Sequence, residues 1–231
     1  MLGILMAAVV SALMAAAPAM AAGSPLEAAR DKQDRAALTE MAAQQTAAAA
    51  KAPNDAEAQY RAALANCYLA EVTIELKDRK TGAQVAEQGI RFGEKAVSLK
   101  PENAEYQRVL GTLYGQAVTN IMNGLTYGPK AKDAINKAVE KAPKVSMMYV
   151  ARGVGNYYVP AQLGGGSKVA IPDFEKAIQL DAKNAEAYLW LGLSLRKENR
   201  DAEARVAFAK ALELNPNRAW AKQQLEKTPA K

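Results

Sequence analysis

No histidine occurs anywhere in the 231 residues, and Cys67 is the only cysteine. The first absence removes the side chain that most often moves protons near neutral pH, together with the commonest metal ligand. The second excludes an intramolecular disulfide and every paired-cysteine metal site. A lone thiol with no imidazole to activate it reads as a small buried apolar residue. Aromatic residues are scarce too, at 6%. These shortages leave no nucleophile–base pair on which to build an enzyme, so no catalytic residue, metal ligand or cofactor is assigned. What is plentiful is small and apolar: half of the chain is hydrophobic, against 30 basic and 24 acidic residues. That size and balance suit one domain or one short repeat array.

The chain opens on a stretch without charge, residues 1–22. An apolar run from Leu2 to about Ala17 is broken by Pro18, and Ala19-Met20-Ala21 supplies the small-x-small pattern of a signal-peptidase site. Residues 1–21 are therefore expected to be a signal peptide, and the protein to be exported, periplasmic or secreted. The competing reading, an uncleaved anchor, is disfavoured by the shortness of the run and by Pro18. No basic residue precedes the run, a departure from the usual signal that points to a start further upstream. After cleavage no transmembrane segment is expected. An exported chain without disulfides is held together by packing alone.

Beyond this segment the sequence repeats. Pro53-Asn54-Asp55-Ala56-Glu57-Ala58, Pro101-Glu102-Asn103-Ala104-Glu105-Tyr106, Ala182-Lys183-Asn184-Ala185-Glu186-Ala187 and Pro216-Asn217-Arg218-Ala219-Trp220-Ala221 read alike, with Pro143 opening a weaker copy. Each follows an amphipathic run such as Phe174-Glu175-Lys176-Ala177-Ile178-Gln179-Leu180 or Phe208-Ala209-Lys210-Ala211-Leu212-Glu213-Leu214. Apolar residues at i, i+3, i+4 and i+7 mark helices buried on one side. The proline or its substitute stops one helix, and Asn or Asp helps start the next.

This pattern resembles the tetratricopeptide repeat family, whose period is 34 residues. Residues 185–218 match best: Leu191-Gly192 where two helices meet, Ala204 and Ala211 at small positions, Phe208 at the large one and Pro216 as terminator. The resemblance implies an all-α fold, a right-handed α-solenoid of antiparallel helix pairs. Four pairs are expected over 56–218 (56–103, 104–145, 146–184 and 185–218), with an N-terminal capping helix in 22–55 and a C-terminal one in 219–231. The terminators Pro53, Pro101, Pro143, Ala182 and Pro216 lie 48, 42, 39 and 34 residues apart. The surplus is expected as inter-helix loops around Lys77–Gly82, Asn123–Pro129 and Tyr157–Gly166, where glycine and proline collect. Pro172 is expected to delay or kink its helix. Gly164-Gly165-Gly166-Ser167-Lys168 lacks phosphate-loop spacing and is expected to be a turn.

The resemblance also implies that the first helix of each pair lines a concave face. The candidate groove residues are Tyr60, Leu64 and Tyr68, then Arg108 and Thr112, then Val150, Val154 and Tyr157, then Leu189 and Leu193. The Lys and Asn with which some relatives clamp a peptide carboxylate are absent from these positions. Such an apolar, tyrosine-bearing face suits a protein or peptide partner, making the chain a non-catalytic scaffold or adaptor. The alternative is a periplasmic accessory protein of a solute transporter, holding an elongated apolar ligand. A third reading has inserted loops covering the face and burying it as core. Residues 129–168 carry seven basic and two acidic residues, which suits peripheral contact with an anionic envelope surface. Nucleic acid is not expected, since basic and aromatic residues do not interleave.

Overall fold

The computed structural model describes residues 24–230, so the expected signal peptide lies outside the described residues. Eleven α-helices follow one another among them: α1 (Pro25–Asp31), α2 (Arg35–Lys51), α3 (Ala56–Glu75), α4 (Arg79–Leu99), α5 (Ala104–Gln116), α6 (Ile121–Lys141), α7 (Ser146–Tyr158), α8 (Ser167–Leu180), α9 (Ala185–Lys197), α10 (Asp201–Leu214) and α11 (Ala219–Glu226). No strand occurs among the described residues, and none of these helices is long and apolar enough to cross a membrane. Each helix packs on its sequence neighbours, and α3, α5, α7 and α9 also touch in succession. This is a solenoid whose odd-numbered helices form one layer.

The turns between pairs use local chemistry visible in the sequence. Asp55 accepts hydrogen bonds from the amides of Glu57 and Ala58, Asn103 from those of Glu105 and Tyr106, and Asn184 from that of Ala187. These caps satisfy amides that a helix start leaves unpaired. Val145 cannot cap α7. There Asn184 donates to the Ser146 hydroxyl, which itself donates to the Ala177 carbonyl, tying the turn to the next repeat.

Two of the three expected loops are helix instead. Helices α5, α7 and α9 have 13 residues and α8 and α10 have 14, whereas α3 has 20 and α4 and α6 have 21. The surplus thus enters the first and second pairs as seven-residue extensions. Seven residues are close to two turns, so the stretch beyond each extension keeps its apolar side toward its partner. Glycine and proline do not prevent this. Pro129 and Pro172 sit inside α6 and α8 near their starts, and the bonds they forfeit belong to carbonyls of the exposed Leu125 and Lys168. Helix α8 therefore runs through Pro172 from Ser167. Only the third insertion is a loop, residues 159–166, closed by Gly164 and Gly166 with φ of 81° and 102°.

The N-terminal segment is not one helix either. It breaks at Lys32–Asp34, where Gln33 adopts φ of 55°. Lys77 (73°) and Asn199 (59°) occupy the same place in the α3–α4 and α9–α10 turns. In all three the amide after the left-handed residue bonds five residues back: Asp34 to Ala29, Asp78 to Thr73 and Arg200 to Leu195. Helices α1 and α2 are thus a hairpin built like the repeats, with a shortened first helix.

Candidate functional site

The inner layer holds every candidate groove residue, but in three different settings. Val150, Leu189 and Leu193 are buried and belong to the core between repeats. Leu64, Thr112 and Val154 are half-buried. The polar and aromatic residues are engaged in side-chain pairs. Tyr60 stacks on Tyr106 with ring centres 4.8 Å apart and donates to Glu105, while Tyr106 donates to Glu57. Arg108 grips Glu105 through two hydrogen bonds of 2.7 and 2.6 Å. Burial and the Glu105 carboxylate push the Tyr60 phenol well above its ordinary range. Cys67 is buried beside them, its thiol pushed up to about 12 by burial, as suits a packing residue.

Tyr157 lies at the other end of this layer, in an aromatic cluster. Its ring meets Tyr158 and Trp190 edge-on at 5.2 and 5.7 Å, and Trp190 meets Trp220 at 5.3 Å. Lys197 stands 4.5 Å over the Tyr157 ring. Tyr158 remains 53% exposed, so this cluster is accessible at one side.

Between the two aromatic groups the inner face is closed, and not by loops. Arg30 of α1 stacks over Tyr68 at 5.0 Å and pairs with Glu186 of α9 at 3.4 Å. Arg218, before α11 and only 1% exposed, donates to Glu71 and Glu75 of α3 at 2.7 and 2.5 Å and to Glu186 at 2.8 Å. Asn215 donates to Asp31, and Gln223 to Gln33. The last repeat therefore meets α1 and the end of α3, turning an open groove into a face with a locked middle. Glu71 and Glu75 lie in the part of α3 by which it exceeds its 13-residue counterparts. The insertion supplies the lock.

Four carboxylates (Asp31, Glu71, Glu75 and Glu186) face two guanidinium groups here, an excess of negative charge where water is scarce. Burial pushes the Glu71 carboxyl up to about 7, against the pull of Arg218 and Arg30, and it raises Glu75 as well. Burial acts on Glu186 in the same direction, but Arg218 and Arg30 outweigh it and hold that carboxyl low. The folded state thus binds the Glu71 proton more tightly than the unfolded chain does. Its contribution to stability is complete below the ordinary value of 4.5 and is lost as pH rises through about 7. With no histidine present, no ordinary side chain competes in that window. Stability is expected to fall between pH 5 and pH 8 by about 1–3 kcal/mol. Glu71→Gln should flatten this slope in thermal melts; an unchanged slope would place the titration elsewhere.

Sequence reasoning missed this cluster. Glu71 and Glu75 carry a weak signal as paired carboxylates on one face of an extended helix, but nothing in the repeat pattern points to Arg218 as their partner. Nor does the repeat pattern single out Trp190, which joins Tyr157 to Trp220.

The tetratricopeptide repeat profile matches residues 185–218. Among solved structures, TTC0263, a thermophilic TPR protein of Thermus thermophilus, is 23% identical with a TM-score of 0.61, over 84% of this chain and 89% of that one. The HusA haemophore from Porphyromonas gingivalis is 21% identical with a TM-score of 0.55, over 77% of this chain and 96% of its own. No curated protein matches the sequence. The fold is that of a helical-hairpin solenoid. Residues 185–218 match the tetratricopeptide repeat family, and the earlier pairs share its fold in lengthened form.

Proposed function

We propose that this protein is an exported, non-catalytic scaffold that takes a polypeptide partner on the inner face, at the aromatic groups flanking the locked middle. The carrying observation is that Tyr60 and Tyr157 are half-buried and held by neighbours, offering rigid aromatic surface at small entropic cost. The exposed Lys197 beside Tyr157 adds a donor for backbone carbonyls or acidic side chains. The apolar first segment supports export, to the periplasm or beyond.

The alternative of an elongated apolar ligand asks for an enclosed apolar chamber. What favours a polypeptide is that ion pairs fill the middle of the face. Two surface depressions lie elsewhere, one lined by Lys168, Ile171, Pro172, Glu198 and Arg200 and the other by Gln84, Glu87, Gln88 and Arg91. A photo-crosslinking residue at Tyr60 or Tyr157, in the expressing cell, should trap one polypeptide that the same residue at the exposed Gln88 of α4 does not. Tyr60→Ala with Tyr157→Ala should weaken its capture about tenfold or more. Equal trapping at all three positions, or none at the tyrosines, removes the inner face as the binding surface.

A further inference from the structure

The first turns of helix α6 carry apolar side chains outward, whereas further on Ala134, Ile135, Ala138 and Val139 are buried. Over its first turns Ile121, Met122, Leu125, Thr126, Pro129 and Lys130 are exposed, whereas Asn123, Gly124, Tyr127 and Gly128 are half-buried against the solenoid. Ile121 is 82% exposed, Met122 75% and Leu125 70%. Positions i, i+1, i+4 and i+8 form a single stripe, and a helix packed in water normally turns such a stripe inward. The end is anchored. Asn120 and Asn123 form a reciprocal cap, and Tyr127 stacks on Tyr114 at 5.9 Å. The next turn on the same edge of the solenoid, between α7 and α8, adds Leu163 at 76% exposure, with Tyr158 and Val159. Arg79 of the preceding turn donates to the Val118 carbonyl at 2.7 Å, and its charge is felt at Tyr158, so the edge is continuous.

Charge along this edge is predominantly positive. No acidic residue lies between Glu105 and Asp133 or between Glu140 and Asp173, while Arg79, Lys80, Lys130, Lys132 and Lys168 are exposed. The carboxylates nearby are Asp78, paired with Arg35, Asp133, paired with Lys137, Glu198, paired with Lys168, and Glu87 and Glu94 of α4, whose charges reach Tyr127 from the flank. Side chains this exposed protrude rather than line a depression. A partner protein would need matching pockets for each of them, whereas a fluid interface closes around protruding groups, and lysines beside them meet anionic headgroups.

We propose that this edge docks on an anionic lipid bilayer, with Ile121, Met122, Leu125 and Leu163 entering the boundary between headgroups and acyl chains and Lys130 and Lys132 over the headgroups. The test uses the full chain with an environment-sensitive fluorophore on Leu125→Cys or, at the opposite edge, on the exposed Lys183→Cys. Buried Cys67 does not compete for the label. Vesicles of phosphatidylcholine and phosphatidylglycerol in equal parts should shift the probe at position 125 to the blue and brighten it several-fold, leaving that at 183 unchanged. Pure phosphatidylcholine should do little. Lys130→Gln with Lys132→Gln should lower partitioning about tenfold. The proposal is overturned if position 125 stays in water with anionic vesicles, or if 183 responds equally, the sign of attachment through another part of the chain. An equal response to pure phosphatidylcholine, or a lipid-free shift that grows with protein concentration, overturns it as well.

Discussion

Exchanging Arg218 for alanine should cost about 3–5 kcal/mol, because it leaves Glu75, whose side chain is only 4% exposed, without its cation in a place water scarcely reaches. For a chain of this length that corresponds to a melting temperature lower by about 10 °C. The effect should be largest above pH 7, where Glu71 and Glu75 are both pressed to ionise, and should shrink toward pH 5 as they take up protons. Arg218→Met combined with Glu71→Gln and Glu75→Gln should recover most of the loss, since it removes charge from both sides of the contact. Urea titrations at pH 5 and pH 8 read the energies, and small-angle scattering reads the separation of first and last repeats. A loss below about 1 kcal/mol at pH 8 would falsify the view that this cluster locks the inner face.

The second large effect belongs to the repeat itself. Phe208 and Phe174 are both fully buried, and each ring rests where the first helix of its pair carries a glycine. A Cβ added at Gly192 would stand 2.7 Å from the Phe208 ring, and one at Gly153 2.5 Å from Phe174. Phe208→Ala is expected to cost about 3–5 kcal/mol through lost burial and the cavity left behind. Gly192→Ala should cost about 1–3 kcal/mol because α9 and α10 must part to admit the methyl. In combination the two should cost clearly less than their sum, the methyl entering space that the ring vacated. Additive losses would mean that the glycine serves the helix backbone and not the contact.

The Gly192 and Phe208 pair was readable from the chain alone, because a small residue and a large one recur at fixed offsets in a 34-residue period. The Asx caps at Asp55, Asn103 and Asn184 were equally legible, being set by contacts within three residues of chain. Where the insertions went was not. Asn123-Gly124-Leu125-Thr126-Tyr127-Gly128-Pro129 has the composition of a loop, yet it is helical because Asn120 and Asn123 cap the start, Tyr127 finds Tyr114, and the weak preferences of two glycines and a proline near a helix start yield to these contacts. The break at Gln33 was hidden for the opposite reason. Neither it nor Lys77 is a glycine, so their left-handed turns left no trace in residue type. Of the groove, Tyr60 and Tyr157 do lie half-open on the inner layer, while Val150, Leu189 and Leu193 went to the core.

Order along the chain, then, was written in the sequence: helix after helix, most turns between pairs marked by proline or Asx, because these depend on residues a few positions apart. How far the array curls, and that Arg218 comes to rest on Glu71 and Glu75 some 143 to 147 residues earlier, were decided only by the tertiary structure. Curvature accumulates from small packing angles at every successive interface. No local pattern encodes that sum, so the lock on the inner face and the apolar edge left outside it became visible only when the pairs were stacked.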